Sequence, residues 1–446
     1  MRRGKLFSWA GLAVSLGVLA VLVAACNTGG GNSKLSPDKQ IVKLALNAGG
    51  QDISTLDPAI TEDVYSYQAE QLIFPQLVTW DANLNVIPWA AQSLPTISSN
   101  GLTYTYKIRT GMKWSDGTPI TATTFAYSIN RALDPCTGSA LSGFFLAPIS
   151  GAGAFSTSKC DASSGALDPT DSKTLIGKSI IVVDPQTLEI KLGAPATYFS
   201  SAMMTSSEMA VPEQLITKYG LKDWINHLQG FGGSQYTLKV WDHKGALDFV
   251  ANPTFWGGAP SLHEVDFTIY KDPATGYTDY LNGRIHVASP SIDQYTSAKS
   301  RSDFHTTGAL NIGYIAPNWG VAPFNNVGAR QAFDLALDKT VLANNIEHGT
   351  VTASNHMVPQ GQPGYFPGLK GPDGQVNDLS GNPTKAKQLL QAYANANCSG
   401  SFAKCPTIVY YTTNDSGSLE LSNAILNQWR TTFPGYNIVE HPVTFP

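Results

Sequence analysis

The 446-residue chain is short of charge. Asp, Glu, Lys and Arg make up 14% of it, against roughly 25% in ordinary soluble proteins, while Ser, Thr, Asn and Gly are abundant; that balance points to a secreted protein. Positive charge is neither in excess nor clustered. The formal net charge is −4, and no basic patch offers the electrostatic footprint that nucleic acid requires, so nucleic acid is excluded as a partner. The five cysteines include no C-x-x-C pair, which leaves a metal site as the weaker reading of them. The catalytic signatures G-x-S-x-G and H-E-x-x-H are absent, and the eight histidines show no pair at helical ligand spacing. The S-x-x-K tetrapeptides beginning at Ser36 and Ser156 lack the S-D-N and K-T-G segments that would make them catalytic. Gly151-Ala152-Gly153 lacks the third glycine of a dinucleotide loop. No enzyme, cofactor or metal is expected.

One long apolar run is present, and it lies at the start. Arg2, Arg3 and Lys5 precede an apolar stretch from Leu6 to Ala25 that ends in small residues, the layout of an export signal over residues 1–25. The run is also long enough to span a bilayer if retained. Val23-Ala24-Ala25-Cys26 resembles the lipobox of bacterial lipoproteins, whose Cys receives lipid; Cys26 is the expected lipidation site. Residues 26–39 are a Gly/Ser/Asn-rich tether with nothing to pack. The other four cysteines are even in number, as an oxidising compartment favours. Neighbours are expected to pair, Cys136 with Cys160 and Cys398 with Cys405, because each pair flanks a loop of small residues.

Strand and helix patterns interleave, which indicates an α/β protein. Ile41–Leu46 and Gly101–Arg109 have strand character, the latter alternating Tyr104, Tyr106 and Ile108 with Thr103, Thr105 and Lys107. Ser179–Leu192 is expected to be a hairpin turning at Asp184-Pro185-Gln186. A helix is predicted over Arg330–Glu347, with Phe333, Leu337 and Val341 on one face, and another over Asn382–Ala394, capped by Asn382 and started by Pro383. Thr407–Thr413, Leu419–Phe433 and Tyr436–His441 form a β-α-β pattern in which Leu421, Ile425 and Trp429 share a helix face. In Trp114-Ser115-Asp116-Gly117, Asp-Gly marks a turn, Thr121 caps a following helix, and Phe125, Ile129 and Leu133 are its buried stripe. No base or second carboxylate lies near Ser115 or Asp116, so the tetrapeptide is expected to be scaffold.

The segment Lys113–Pro135 resembles the hallmark segment of the oligopeptide- and dipeptide-binding proteins of peptide ABC transporters, solute-binding protein family 5. Further matches follow in order: Ser54-Thr55-Leu56-Asp57-Pro58, Pro88-Trp89-Ala90, Asn100-Gly101-Leu102-Thr103-Tyr104, Asn252-Pro253-Thr254-Phe255-Trp256-Gly257-Gly258, and Pro323 to Ala332 with Leu337-Asp338-Lys339 beyond. The resemblance implies a bilobed, periplasmic-binding-protein-like α/β fold with an inserted domain. It places lobe I at 40–71 and 201–305, the inserted domain at 72–200 and lobe II at 306–446. In function it implies an extracytoplasmic lipoprotein, anchored at the outer face of the cytoplasmic membrane, that binds a peptide ligand as a monomer and delivers it to ABC-transporter permease subunits. Oligosaccharides, a nickel chelate or presentation to a sensor are the alternatives that the same fold serves.

The resemblance also suggests ligand contacts. Asp52 stands where oligopeptide-binding relatives place an acidic residue facing the ligand, with an exposed loop carboxylate as the alternative. Phe144 and Phe145 stand where the inserted domain offers an aromatic, with burial in the core as the alternative. Asn318 and Trp319 lie at the entry to lobe II, and a core tryptophan is the other reading of Trp319. In relatives the chain runs on past the last β-α-β unit with an aspartate that pairs with the peptide's amino group; lobe II is therefore expected to be incomplete here.

Overall fold

The computed structural model describes residues 36, 40–46, 52–83, 85–160, 174–306, 308–309, 311–362, 364–376 and 378–443. The expected export signal, the lipidation site Cys26 and nearly all of the tether lie outside the described residues. Among the described residues, no helix is long and apolar enough to cross a membrane. These residues divide into two compact units, one ending at Ser289 and the other beginning at Pro290.

The first unit contains, in order, β1 (Ile41–Leu46), α1 (Val64–Ile73), β2 (Val78–Trp80), β3 (Val86–Pro88), β4 (Thr96–Ile97), β5 (Thr103–Lys107), α2 (Ala122–Leu133), β6 (Ile180–Asp184), β7 (Thr187–Lys191), α3 (Glu213–Tyr219), β8 (Tyr236–Trp241), β9 (Ala246–Ala251), β10 (Glu264–Ile269) and α4 (Pro273–Leu281), with short helical turns between some of them. Two four-stranded sheets result. One has the order β1-β10-β9-β8, in which the N-terminal strand pairs in parallel with β10, Ile41 opposite Glu264. The other is antiparallel, β4-β5-β7-β6. Its hairpin turns at Asp184-Pro185-Gln186, where Asp184 accepts from Gln186 N at 2.8 Å. The alternation in β5 buries Tyr104 and Tyr106 and leaves Lys107 exposed. All three stripe residues of α2, Phe125, Ile129 and Leu133, are buried in one continuous apolar core.

The Trp114 segment is packed into that core. Trp114 is buried and stacks on Phe231 with ring centroids 5.2 Å apart. The hydroxyl of Ser115 donates to Gly230 O at 3.0 Å and accepts from Gly232 N at 3.3 Å. Asp116 accepts from Thr118 N at 2.8 Å, and Gly117 has φ +89°, a conformation glycine adopts without strain. Thr121 N donates to Thr124 Oγ1 at 3.1 Å, part of a capping box that starts α2.

The second unit contains α5 (Ile292–Ala298), α6 (Val327–Leu335), α7 (Pro383–Asn397), β11 (Ile408–Thr413), α8 (Ser416–Thr432) and β12 (Ile438–Val443). β11 and β12 pair in parallel through the crossover α8, the β-α-β unit read from the sequence. Phe333 lies at the centre of its core, with Phe324, Trp429, Phe433 and Tyr436 around it at centroid distances of 5.0 to 5.9 Å. Asn382 caps α7 by accepting from Lys385 N at 3.0 Å.

The continuous helix expected over Arg330–Glu347 is a correction. α6 stops at Leu335, and Asp338 accepts from Val341 N at 2.9 Å to begin a separate turn. At the break, Asp338 N donates to Gln428 Oε1 at 2.6 Å and Lys339 N to Leu379 O at 2.8 Å. These tertiary bonds take amides a continuing helix would use. Leu337 is buried by the bend, while Val341 is left exposed rather than on the buried face.

Both cysteine pairs are joined as expected, Cys136 to Cys160 and Cys398 to Cys405.

Candidate functional site

Asp52 is not a free loop carboxylate. Its Oδ1 accepts from Ile53 N at 2.9 Å, both of its oxygens accept from Trp241 Nε1 at 2.9 Å, and Oδ2 meets His243 Nδ1 at 2.6 Å. The partners come from the end of β8 and the turn after it. Asp242 shapes that turn by accepting from the amides of Lys244, Gly245 and Ala246, and His243 takes a left-handed φ of +59° beside it. Neither Trp241 nor His243 was singled out in the sequence; they are 189 and 191 residues away from Asp52, and no local pattern announces them.

Phe144 and Phe145 sit together on a short helical turn, edge to face with centroids 5.2 Å apart. They divide the two readings between them: Phe144 is 76% exposed, and Phe145 packs against the core. In the second unit Trp319 is 68% exposed and is not a core tryptophan. The guanidinium of Arg330 lies 5.0 Å from its ring centroid, a cation–π contact that orients the indole without covering it. Asn318 accepts from Gly320 N at 3.0 Å, which shapes the loop that presents Trp319.

The second unit also holds a cavity of about 240 Å³ that the sequence did not suggest. Ile292, Ile346 and Leu421 give it apolar walls, and Glu347, Asp415 and Glu420 bring three carboxyl groups to it. Burial, helped by the charge of Glu420, pushes the Glu347 carboxyl above its ordinary range. Burial opposes the charge on Asp415 too, but bonds from Thr413 and Ser418 outweigh it and hold that carboxyl low. Asp415 is also the N-cap of α8, accepting from Ser418 N at 2.9 Å. Apolar walls with three carboxyl groups among them suit an organic cation or the amino group of a ligand.

One further acidic group has a structural account. The ligand atoms of Asp248, Glu264 and Asp266 lie within 4.8 Å of one another on the sheet of β8, β9 and β10. Lys239 pairs with Glu264. Burial, then repulsion from Asp248, pushes Asp266 up to about 7.

A family model described as bacterial extracellular solute-binding proteins, family 5 Middle, matches residues 85–438. The chain is 27% identical over 359 residues to the periplasmic oligopeptide-binding protein OppA of Escherichia coli K12, a match covering 78% of this chain and 62% of that one. It is 24% identical over 426 residues to the oligopeptide-binding protein OppA of Bacillus subtilis 168, covering 93% and 74%. Among solved structures, the pheromone receptor PrgZ matches with a TM-score of 0.76 at 22% identity, over 91% of this chain and 77% of that one. Haemophilus influenzae OppA in complex with RPPGFSPFR matches with a TM-score of 0.74 at 20% identity, over 92% and 76%. These structural likenesses show a shared α/β fold. The chain spans less than two thirds of the length of the Escherichia coli relative.

Proposed function

Because the chain belongs to family 5 of the bacterial extracellular solute-binding proteins, we propose that it captures peptides outside the cytoplasm and passes them to the permease of an ABC importer. The observation that carries this reading is the match over 78% of the chain to a protein named as oligopeptide-binding. Peptide capture needs no catalytic group, only a surface that grips the ligand's backbone and charged ends while tolerating varied side chains. In the second unit, Trp319 and Asn318 are proposed as exposed ligand contacts and the carboxyl-lined cavity at Glu347, Asp415 and Glu420 as a place for the ligand's amino group; in the first unit, Phe144 is proposed separately as an exposed contact. The proposed division into lobe I (40–71 and 201–305), inserted domain (72–200) and lobe II (306–446) follows the family resemblance. So do a monomeric state, the absence of catalysis, and anchoring by lipid on Cys26 after removal of residues 1–25.

Calorimetric titration of the exported protein with tri- to nonapeptides, cello-oligosaccharides and a nickel chelate tests the reading. Micromolar peptide affinity, reduced about tenfold or more in Trp319→Ala at an unchanged melting temperature, is the expected result; a hot-spot tryptophan carries at least that much. Binding of the saccharides or the chelate with no response to peptides would overturn it. Mass spectrometry tests the anchor: Cys26→Ser should lack acyl chains, and acylation of that variant would refute the assignment.

A further inference from the structure

We propose that a cavity beside β8 is a subsite for one side chain of a bound ligand, an apolar ring that carries a hydrogen-bond donor, with His243 Nε2 as the acceptor and Asp52 as the residue that positions it. The side chain that fits is the phenol of tyrosine. That identity rests on the peptide-binding reading; the place of the subsite and its preference for a donor rest on the geometry alone.

Asp52 has little left to offer a ligand, because Ile53 N, Trp241 Nε1 and His243 Nδ1 already occupy its two oxygens, and a carboxylate has about four acceptor positions. What it does instead is fix a tautomer. A carboxylate only accepts, so the 2.6 Å contact at Nδ1 puts the hydrogen of the neutral ring there and leaves Nε2 with its lone pair. Among the described residues no protein donor reaches that lone pair. The histidine side chain is 53% exposed, against 20% for the aspartate. The Asp242 turn sets its left-handed backbone, one that histidine tolerates better than most residues, and Trp241 braces the ring with centroids 4.2 Å apart.

The cavity lies in the first unit and measures about 170 Å³, below the roughly 300 Å³ at which sites for whole ligands begin, so it holds a single side chain. Ile225, Leu238, Val240 and the Trp241 ring give it apolar walls, and Asn226, Gln229 and His243 are its polar residues. Each amide commits a hydrogen to the protein, Asn226 Nδ2 to Asp223 at 2.9 Å and Gln229 Nε2 to Lys239 O at 3.4 Å. Their carbonyl oxygens, like His243 Nε2, accept from no protein group among the described residues. Among those residues no lysine or arginine lines the cavity to receive an anion, and no carboxylate to neutralise an ammonium. The occupant is therefore a neutral group that donates, on a body apolar enough to cover the walls, and a phenol meets both conditions. A leucine or phenylalanine side chain would cover the walls but leave the Nε2 lone pair without a donor.

The test uses the full chain with N-acetyl-tyrosinamide and N-acetyl-phenylalaninamide, which differ by one hydroxyl, while the His243 ring nitrogens are followed by NMR. In the free chain Nδ1 should carry the hydrogen. Both probes should bind saturably, the tyrosine probe about fivefold more tightly, which is the gain expected from one hydrogen bond between neutral groups, and the Nε2 resonance should move for that probe alone. Asp52→Ala should let the hydrogen move to Nε2 and abolish the preference between the probes. His243→Gly, which suits the left-handed backbone, should abolish it too. Equal affinity for the two probes in the native chain, a native ring with its hydrogen on Nε2, or a preference that survives in either variant would each overturn the inference. Peptide binding with no preference for the tyrosine probe would sink it and leave the peptide reading standing. The predicted preference in a chain with no affinity for peptides would do the reverse.

Discussion

Arg131 and Asp57 are joined by two parallel bonds, Nη1 to Oδ1 at 2.8 Å and Nη2 to Oδ2 at 2.6 Å, with both side chains almost wholly buried. Trp224 Nε1 adds a third donor to the carboxylate at 3.3 Å, and the backbone amide of Ala59 a fourth at 3.1 Å. The aspartate comes from the Ser54–Pro58 motif and the arginine from the end of α2, so the pair ties together two segments 74 residues apart. Removing one partner strands a buried charge. Arg131→Met is expected to cost about 3–5 kcal/mol of unfolding free energy, and Asp57→Asn a similar amount. Replacing both should cost less than the two losses summed. Urea titration measures all three, and a loss below about 1 kcal/mol in either single variant would contradict a buried pair.

The motifs that made the family legible are mostly such internal ties. Asp57, Trp114 and Arg131 are visible in the sequence because each sits in a local pattern, and each proves to be buried scaffold. The elements with strong periodicity, β1, the β6–β7 hairpin, α7 and the β11-α8-β12 unit, were readable for the same reason. The break after α6 was not, because amide bonds to Gln428 and Leu379 decide it from far along the chain. The candidate site was less legible still. Asp52 could be named, but its partners could not, and the carboxyls at Glu347, Asp415 and Glu420 converge from two segments about 70 residues apart.

Two carboxyl groups inside the first unit make stability fall with rising pH. Burial pushes Glu208 up to about 8 and Glu70 well above its ordinary range; each accepts from a threonine, Thr205 or Thr61, and neither forms an ion pair among the described residues. A carboxyl whose folded pKa is raised holds its proton where the unfolded chain has lost it. Its contribution is full below the unfolded value near 4.5 and is lost as pH rises to about 8 for Glu208. Glu208→Gln removes this term. Between pH 4.5 and 8 the melting temperature of the variant should therefore rise relative to the native protein's, most at the alkaline end. A constant difference across that window would show that Glu208 is ionised throughout.

Gly233 is required by the ring beside it. A Cβ there would lie 2.5 Å from Trp114 Cε3 and 2.7 Å from Ile120 Cδ1, so Gly233→Ala should cost about 1–3 kcal/mol through overpacking. Ser115, by contrast, contributes two bonds to the neighbouring backbone, and Ser115→Ala should cost about 1 kcal/mol. Peptide affinity should be the same in Ser115→Ala as in the native chain, because the hydroxyl secures the Gly230–Gly232 backbone. A selective loss of affinity without a loss of stability would return this serine to the list of ligand or reactive groups.

The two disulfides should differ in worth. The bond from Cys136 to Cys160 closes a separation of 24 residues, and that from Cys398 to Cys405 one of 7. On chain entropy alone these correspond to about 3 and about 2 kcal/mol. Burial works in the other direction: Cys398 and Cys405 are both core residues of the second unit, so truncating them also removes buried atoms from that core, while Cys160 is exposed. Paired alanine variants measured by denaturant melting separate the two effects. If loop entropy dominates, loss of the Cys136–Cys160 bond is the more costly by about 1 kcal/mol; if packing dominates, the order inverts. In either case the four cysteines should give no free thiol in denaturant, and two free thiols would mean that one of the bonds does not form in the native chain.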